Sequence, residues 1–152
     1  MRRSVRQTAA PLFAMLFALA ACAGTPDAVR VDDGAYVRLP AVPGNPAAAY
    51  LTVRGGATAD RLVAIGSGMA ARVELHASML HGGMMTMAPL TGVDIPAHGA
   101  VAFAPAGRHV MLFGLPAAVG PGTQVPFTLR FRSGAVVGLT ARAIAAGDAA
   151  PD

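Results

Sequence analysis

From residue 34 onward the apolar positions come in short runs broken by Gly and Pro, and their period is two rather than 3.6. The segment Val125–Arg132 shows it best: Val125, Phe127, Leu129 and Phe131 alternate with Thr128, Arg130 and Arg132. That pattern is a strand with one face buried. The same reading predicts strands over Ala35–Leu39, Ala48–Arg54, Arg61–Ile65, Arg72–Ala77, Met84–Ala88, Ala100–Phe103, His109–Phe113 and Ala135–Ala143. Ser133-Gly134 is a tight turn between two of them. Many short strands without a long helical period favour a β-sandwich or barrel. Residues 34–144 read as one all-β domain, and residues 145–152 as a disordered tail.

The amino-terminal stretch has another grammar. Arg2, Arg3 and Arg6 precede an uncharged run from Ala9 to Ala21. That run is too short to cross a ~30 Å hydrocarbon core comfortably, which takes about 20 helical residues. A positive flank, a short apolar run and small residues read as an export signal over residues 1–21. Its end, Leu19-Ala20-Ala21-Cys22, resembles the bacterial lipoprotein box, which implies an acylated Cys22 as first residue of the mature chain. Ordinary cleavage after Ala20 or Ala23 is the alternative. Residues 22–33 then read as acylated Cys and flexible tether. Either cleavage sends the domain to the cell envelope, on the periplasmic side. Acylation adds a membrane anchor.

Charge changes little once the leader is set aside. The 152 residues carry 12 basic side chains, all Arg, against eight acids, a net +4. Three Arg lie in residues 1–21, so the remainder holds nine Arg and eight acids, or +1. A nucleic-acid partner therefore loses its electrostatic support. One Cys excludes an intramolecular disulfide framework and a Cys-based zinc or iron–sulfur cage. The chain has no Gly-x-Ser-x-Gly elbow, no phosphate-binding loop and one Glu, and does not read as an enzyme. Blue-copper electron transfer fails too, since that centre needs a thiolate.

Chemistry concentrates in one stretch. Six of eight Met and all four His lie between Met69 and Met111. Alternation puts Val73 and Leu75 on one face and Arg72, Glu74 and His76 on the other. In His109–Phe113, Val110 and Leu112 can point inward while His109 and Met111 emerge together, with Cα atoms roughly 6.5–7 Å apart. Imidazole with thioether, lacking thiolate and clustered carboxylate, suits Cu(I) rather than zinc or a hard cation. Met84 and Met85 divide between inward packing and shielding of a site. His81 reads as a solvated loop residue, with support of a metal ligand as the alternative, and His98 as a structural or incidental part of a Pro96–Gly99 turn. Arg72 and Glu74 fit either a solvated strand face or the orientation of His76.

The spacing of His76, Met87, His109 and Met111 matches the H-x10-M-x21-H-x-M signature of the periplasmic copper chaperones called PCu(A)C. The surrounding words resemble that family as well: Val73-Glu74-Leu75-His76, Gly83-Met84-Met85-Thr86-Met87, Val93-Asp94-Ile95-Pro96 and Gly107-Arg108-His109-Val110-Met111-Leu112. The likeness runs from about residue 34 to 142. It implies a cupredoxin-like, or immunoglobulin-like, β-sandwich binding one Cu(I) at an exposed site through His76, Met87, His109 and Met111. It also implies a copper-accepting partner, the CuA centre of cytochrome c oxidase or an assembly factor. Two departures limit the transfer. Ala77 follows the first His where some members have Met, and the tail lacks the His and Met associated with Cu(II). The alternatives are a copper-sequestering envelope lipoprotein and a metal-free structural or partner-binding sandwich.

Overall fold

The structure is a computed structural model and describes residues 27–151. The signal segment and the proposed acylation site, Cys22, lie outside the described residues. Eleven strands form: β1 (Arg30–Val31), β2 (Tyr36–Arg38), β3 (Ala47–Arg54), β4 (Asp60–Gly66), β5 (Arg72–His81), β6 (Met84–Pro89), β7 (Val93–Ile95), β8 (Ala100–Phe103), β9 (Arg108–Phe113), β10 (Gln124–Phe131) and β11 (Val136–Ile144). The described residues contain no helix. All nine predicted strands are present, with ends within one residue, save that β5 continues four residues further, to His81. In β10, Val125, Phe127, Leu129 and Phe131 are all buried, as the alternation requires.

The strands join in the order β6-β5-β9-β3-β2-β11-β10-β4-β7. The β2–β11 pair is parallel and the other pairs are antiparallel. β3 makes the corner. Its first half lies between β2 and β9, and its second half between β1 and β8. A strand that changes neighbours midway lets the ribbon turn over on itself. β4 and β5 pack together without pairing, and Leu62, Leu75, Val110 and Leu129, from β4, β5, β9 and β10, share one core cluster. The fold is thus the expected all-β sandwich.

Two boundaries differ from the sequence reading. The supposed tether is ordered before residue 33: Val29 and Val31 pack on the core, and β1 pairs with Val53 and Arg54 of β3. The Asp32 N–H donates to the Thr52 carbonyl at 2.9 Å, and Arg54 Nε donates to the Asp32 carboxylate at 2.8 Å. Two residues are too few to show a period, and their partner lies far along the chain. The tail also begins later than expected. Arg38 donates to the carbonyls of Ala146 at 2.9 Å and Asp148 at 2.7 Å, while Asp148 accepts the Ala145 N–H. β7, at three residues, likewise escaped the periodicity.

Asp60 closes the pole where β10 turns into β11. Its carboxylate accepts the backbone N–H groups of Arg61 and Ser133 and the Ser133 hydroxyl. Desolvation pushes its pKa up, but these hydrogen bonds outweigh it and hold the carboxyl below its ordinary value. Asp32 is lowered as well, chiefly by the hydrogen bond from Arg54. A depressed carboxyl stabilises the fold above its unfolded-state pKa, and that contribution disappears as pH falls through the folded value. Asp60→Ala is expected to cost about 1 kcal/mol at neutral pH, given its partial exposure. The deficit should shrink towards zero as pH is lowered below the ordinary carboxyl value, near 4. Urea unfolding at neutral and acid pH measures both; an equal deficit at each pH would assign the effect to packing.

Candidate metal centre

The site is built on three neighbouring strands. β5 lies between β6 and β9, with His76 opposite Pro89 on one side and His109 on the other. Directly paired residues of an antiparallel ladder share a face, and so do residues two positions along. Met87, two residues before Pro89, and Met111, two after His109, therefore lie on the same face as the two imidazoles. Both stand diagonally from His76, at about 7–8 Å between Cα atoms, a span that long side chains cross. The register thus brings all four motif positions to one face. On the other face Leu75, Val110 and Leu112 enter the core at 6%, 0% and 0% exposure.

The imidazoles are recessed, a correction to the expectation of a plainly exposed site. His109 is 6% exposed and the His76 side chain 14%. Their ring centroids are 6.0 Å apart, with the planes inclined at 38°. Met111 is half-buried, whereas Met87 is 61% exposed. The strand period predicts which way a side chain points but not how deeply its neighbours cover it.

Each ring has one nitrogen committed. His109 Nδ1 lies 3.0 Å from the Gly107 carbonyl, which can only accept, so the proton sits on Nδ1 and the lone pair on Nε2. His76 Nε2 lies 2.8 Å from a Glu74 carboxylate oxygen, which assigns its proton to Nε2 and leaves Nδ1 bare. Among the described residues, His76 Nδ1 is the one buried side-chain nitrogen or oxygen without a hydrogen-bond partner. A buried basic nitrogen without a partner is costly unless something else binds it. Imidazole nitrogens on one face with thioethers are the donor types that a soft monovalent ion accepts.

Glu74 resolves what the sequence left open. It also accepts from Arg72 at 2.7 Å, and the Arg72 guanidinium sits 4.1 Å from the centre of the Phe113 ring. The hydrogen bond with His76 holds the Glu74 carboxyl below its ordinary range, against desolvation and with help from Arg72. The row Phe113, Arg72, Glu74, His76 therefore fixes one imidazole from outside. The Gly107 carbonyl does the same for His109 and was not foreseen; the word Gly107-Arg108-His109 was its only trace.

The remaining candidates fall elsewhere. Gly82 and Gly83, at φ 57° and 80°, form the turn between β5 and β6, since a two-residue turn of this hand needs positive φ at both positions. His81, at the end of β5, is exposed, pairs with Met84 and lies an odd number of residues from His76, on the opposite face. Neither Met84 nor Met85 packs inward, at 69% and 58% exposure. His98 has φ 53° in the β7–β8 turn, where its N–H donates to the Gly56 carbonyl. Among the described residues no three His, Cys, Asp or Glu gather into a metal-binding group.

Residues 29–143 match the family model described as "Putative lipoprotein LpqE-like". The chain belongs to this family. A curated relative, the putative lipoprotein Lxx21020 of Leifsonia xyli subsp. xyli, is 38% identical over 69 residues, 45% of this chain and 42% of that protein. The match thus spans less than half of that relative. Among solved structures, the copper-bound PCuAC domain from PmoF2 is similar at TM-score 0.63 and 22% identity, over 77% of this chain and 92% of that one. Apo-DR1885 from Deinococcus radiodurans is similar at TM-score 0.58 and 26% identity, over 94% and 95%. Its Cu(I) form aligns at TM-score 0.56 and 30% identity over 74% of each chain. The family match and these structures bear out the PCu(A)C resemblance and the cupredoxin-like fold.

The hydrogen-bond pattern makes the tautomer of His76 a measurable property. In the metal-free protein its ring nitrogens are expected to report a proton on Nε2, and Glu74→Ala should shift the ring towards a mixture of tautomers. Two-dimensional ¹⁵N spectra of the imidazoles at neutral pH read this directly. Unchanged His76 signals in the variant would mean that Glu74 does not hold the ring.

Proposed function

We propose that this protein is an extracytoplasmic copper chaperone. It binds one Cu(I) through His76, Met87, His109 and Met111 and passes it to an acceptor, the CuA centre of cytochrome c oxidase or a factor that assembles it. It is held at a membrane by an acylated Cys22 and carries out no catalysis. The observation that most supports this reading is the pair of recessed imidazoles, each with one nitrogen committed and His76 Nδ1 buried without a partner, on the face that also carries Met87 and Met111. The copper-bound and Cu(I) forms of similar domains support the choice of cargo.

The chemistry of transfer follows from the donors. Thioethers are neutral and need no deprotonation, so their exchange is not tied to a proton. Met87, the most exposed of the four, is the ligand an incoming thiolate or imidazole would displace first. The recessed imidazoles would hold the ion until the acceptor's ligands complete its shell. Glu74 would keep His76 in its binding tautomer throughout.

Titration of Cu(I) under reducing conditions, against a competing chromophoric ligand, should give one tight equivalent. That equivalent should vanish in the His76→Ala, His109→Ala double variant. Met87→Ala should weaken binding while shifting stability by no more than about 0.5 kcal/mol, as at other exposed sites. Glu74→Ala should lower affinity by about 10–100-fold, the usual cost of losing a residue that orients a ligand. No binding by the parent chain would sink the copper reading. In cells, loss of the gene should depress oxidase activity in a way that added copper restores; copper sensitivity alone would indicate sequestration instead.

A further inference from the structure

Beyond the last residues that β9 supports, the β5–β6 hairpin stands clear of the sandwich. The β5–β9 ladder ends at the Ala77–Arg108 pair, and one further bond joins the Ser78 N–H to the Gly107 carbonyl. From there to the Gly82-Gly83 turn the two strands pair only with each other. At 3.3–3.4 Å per residue the tip extends roughly 15 Å past β9. It carries Met79, Leu80, Met84 and Met85 at 51%, 71%, 69% and 58% exposure. Residues 77–89 contain no Asp, Glu, Lys or Arg. The register puts Leu80 and Met85 on one face, with Ser78 and Met87, and Met79 and Met84 on the other, with His81 and Thr86, so each face carries exposed apolar side chains. Among the described residues the outer edge of β6 has no partner strand, and it has no Asp, Glu, Lys or Arg to guard it, although exposed edges are commonly protected by charge.

The start of the described chain is at the same pole. The Asp27 carbonyl accepts the Ala57 N–H, and a Cβ at Gly56 would collide with that carbonyl, so residue 27 is seated closely on the loop after β3. Arg30 pairs with Arg54, the last residue of β3. β3 runs antiparallel to β9 and β9 antiparallel to β5, so the end of β3 and the tip of the hairpin point the same way. Four residues lie between Cys22 and Asp27, and the five Cα-to-Cα steps span at most about 18 Å in any conformation.

We propose that the β5–β6 hairpin tip rests in the headgroup region of the membrane that carries the anchor, with Met79, Leu80, Met84 and Met85 in contact with lipid. The inference rests on the acylation of Cys22 in the reading above. A groove on a partner protein would cover one face of the hairpin, whereas an interface between water and acyl chains receives both faces. The tether is short enough to keep this pole at the bilayer and leaves the opposite pole turned away. His76, six residues before Gly82 on β5, would then stand roughly 20 Å from the lipid contact, facing acceptors held at the same membrane.

The test uses the full chain, produced as the acylated lipoprotein and reconstituted in vesicles of three parts phosphatidylethanolamine to one part phosphatidylglycerol. Leu80→Cys is labelled with an environment-sensitive fluorophore, and Ala117→Cys, exposed in the loop after β9, serves as the distal control. Mass spectrometry of the same preparation establishes acylation at Cys22. Doxyl groups near the headgroup–acyl boundary, where interfacial segments rest, should quench the label at position 80 about twofold or more and leave position 117 unchanged. Adding Met79→Asp and Met84→Asp should restore the emission. An acylated chain with no quenching at position 80 overturns the proposal and leaves the anchor intact. Quenching at both positions overturns the orientation claimed here. Coupling between labels at position 80 of two chains without lipid quenching makes the tip an interface between copies, and overturns it too. A chain without an acyl group removes the anchor and this inference together, while the copper titration remains independent of either result.

Discussion

The pairing of His76 with His109 across β5 and β9 is the constraint on which the centre depends. A strand has a side-chain period of two, so a slip of one residue would carry His76 into the core and bring Leu75 or Ala77 out. The slip is prevented on the inner face, where Leu75, Val110 and Leu112 are buried in the same cluster. Burying such side chains stabilises by about 1.5–3 kcal/mol each, far more than any contact among the polar groups outside. The hydrophobic face therefore sets the geometry of the polar one. The four positions share one face because the core admits a single register.

Much of this was legible beforehand, and the limits of what was have physical causes. Alternation in Val125–Arg132 and in His109–Phe113 encodes directly which residues face inward, so strands and faces could be read from it. β1 and β7 are shorter than any window in which a period can be recognised, and they owe their existence to partners on β3 and β4. Recession of His109 depends on how neighbouring strands close around it, which is not a property of its own strand. Glu74 could be assigned to the outer face but not to His76 specifically, because an exposed carboxylate at that position suits solvent equally well. Arg72, held between Glu74 and Phe113, tips the balance by fixing the carboxylate in place.

The two imidazoles reach the same condition by different means. One is fixed by a charged side chain on its own strand, the other by a backbone carbonyl in the turn before its strand. The carbonyl cannot titrate or rotate away, while the carboxylate is held ionised by its hydrogen bonds. Each ring thereby has one nitrogen tied to a fixed oxygen, and the other left for a further partner. The thioethers are not held in this way, and Met87 stands on an edge strand with most of its surface in water. In the proposed centre the imidazoles would be the rigid half of the donor set. The thioethers would be the compliant half, free to change partners.

An exposed hairpin rich in Met and Leu, with an unguarded edge and no charge, would be a hazard on a freely diffusing protein. Two devices of the fold make the protrusion definite rather than frayed: the paired glycines close the turn in the hand that the strands require, and the ladder between β5 and β6 is continuous from His76 to His81. Such order would be of little use if the tip were merely tolerated. The same strand carries His76 at one end and the apolar tip at the other, so anything that orients the tip also orients the imidazole. Placing the first described residues at that pole ties both to the point where an anchor would enter. The proposed soft-metal centre would gain from that arrangement, because an acceptor at the same surface would meet Met87, on the edge strand, before the recessed imidazoles.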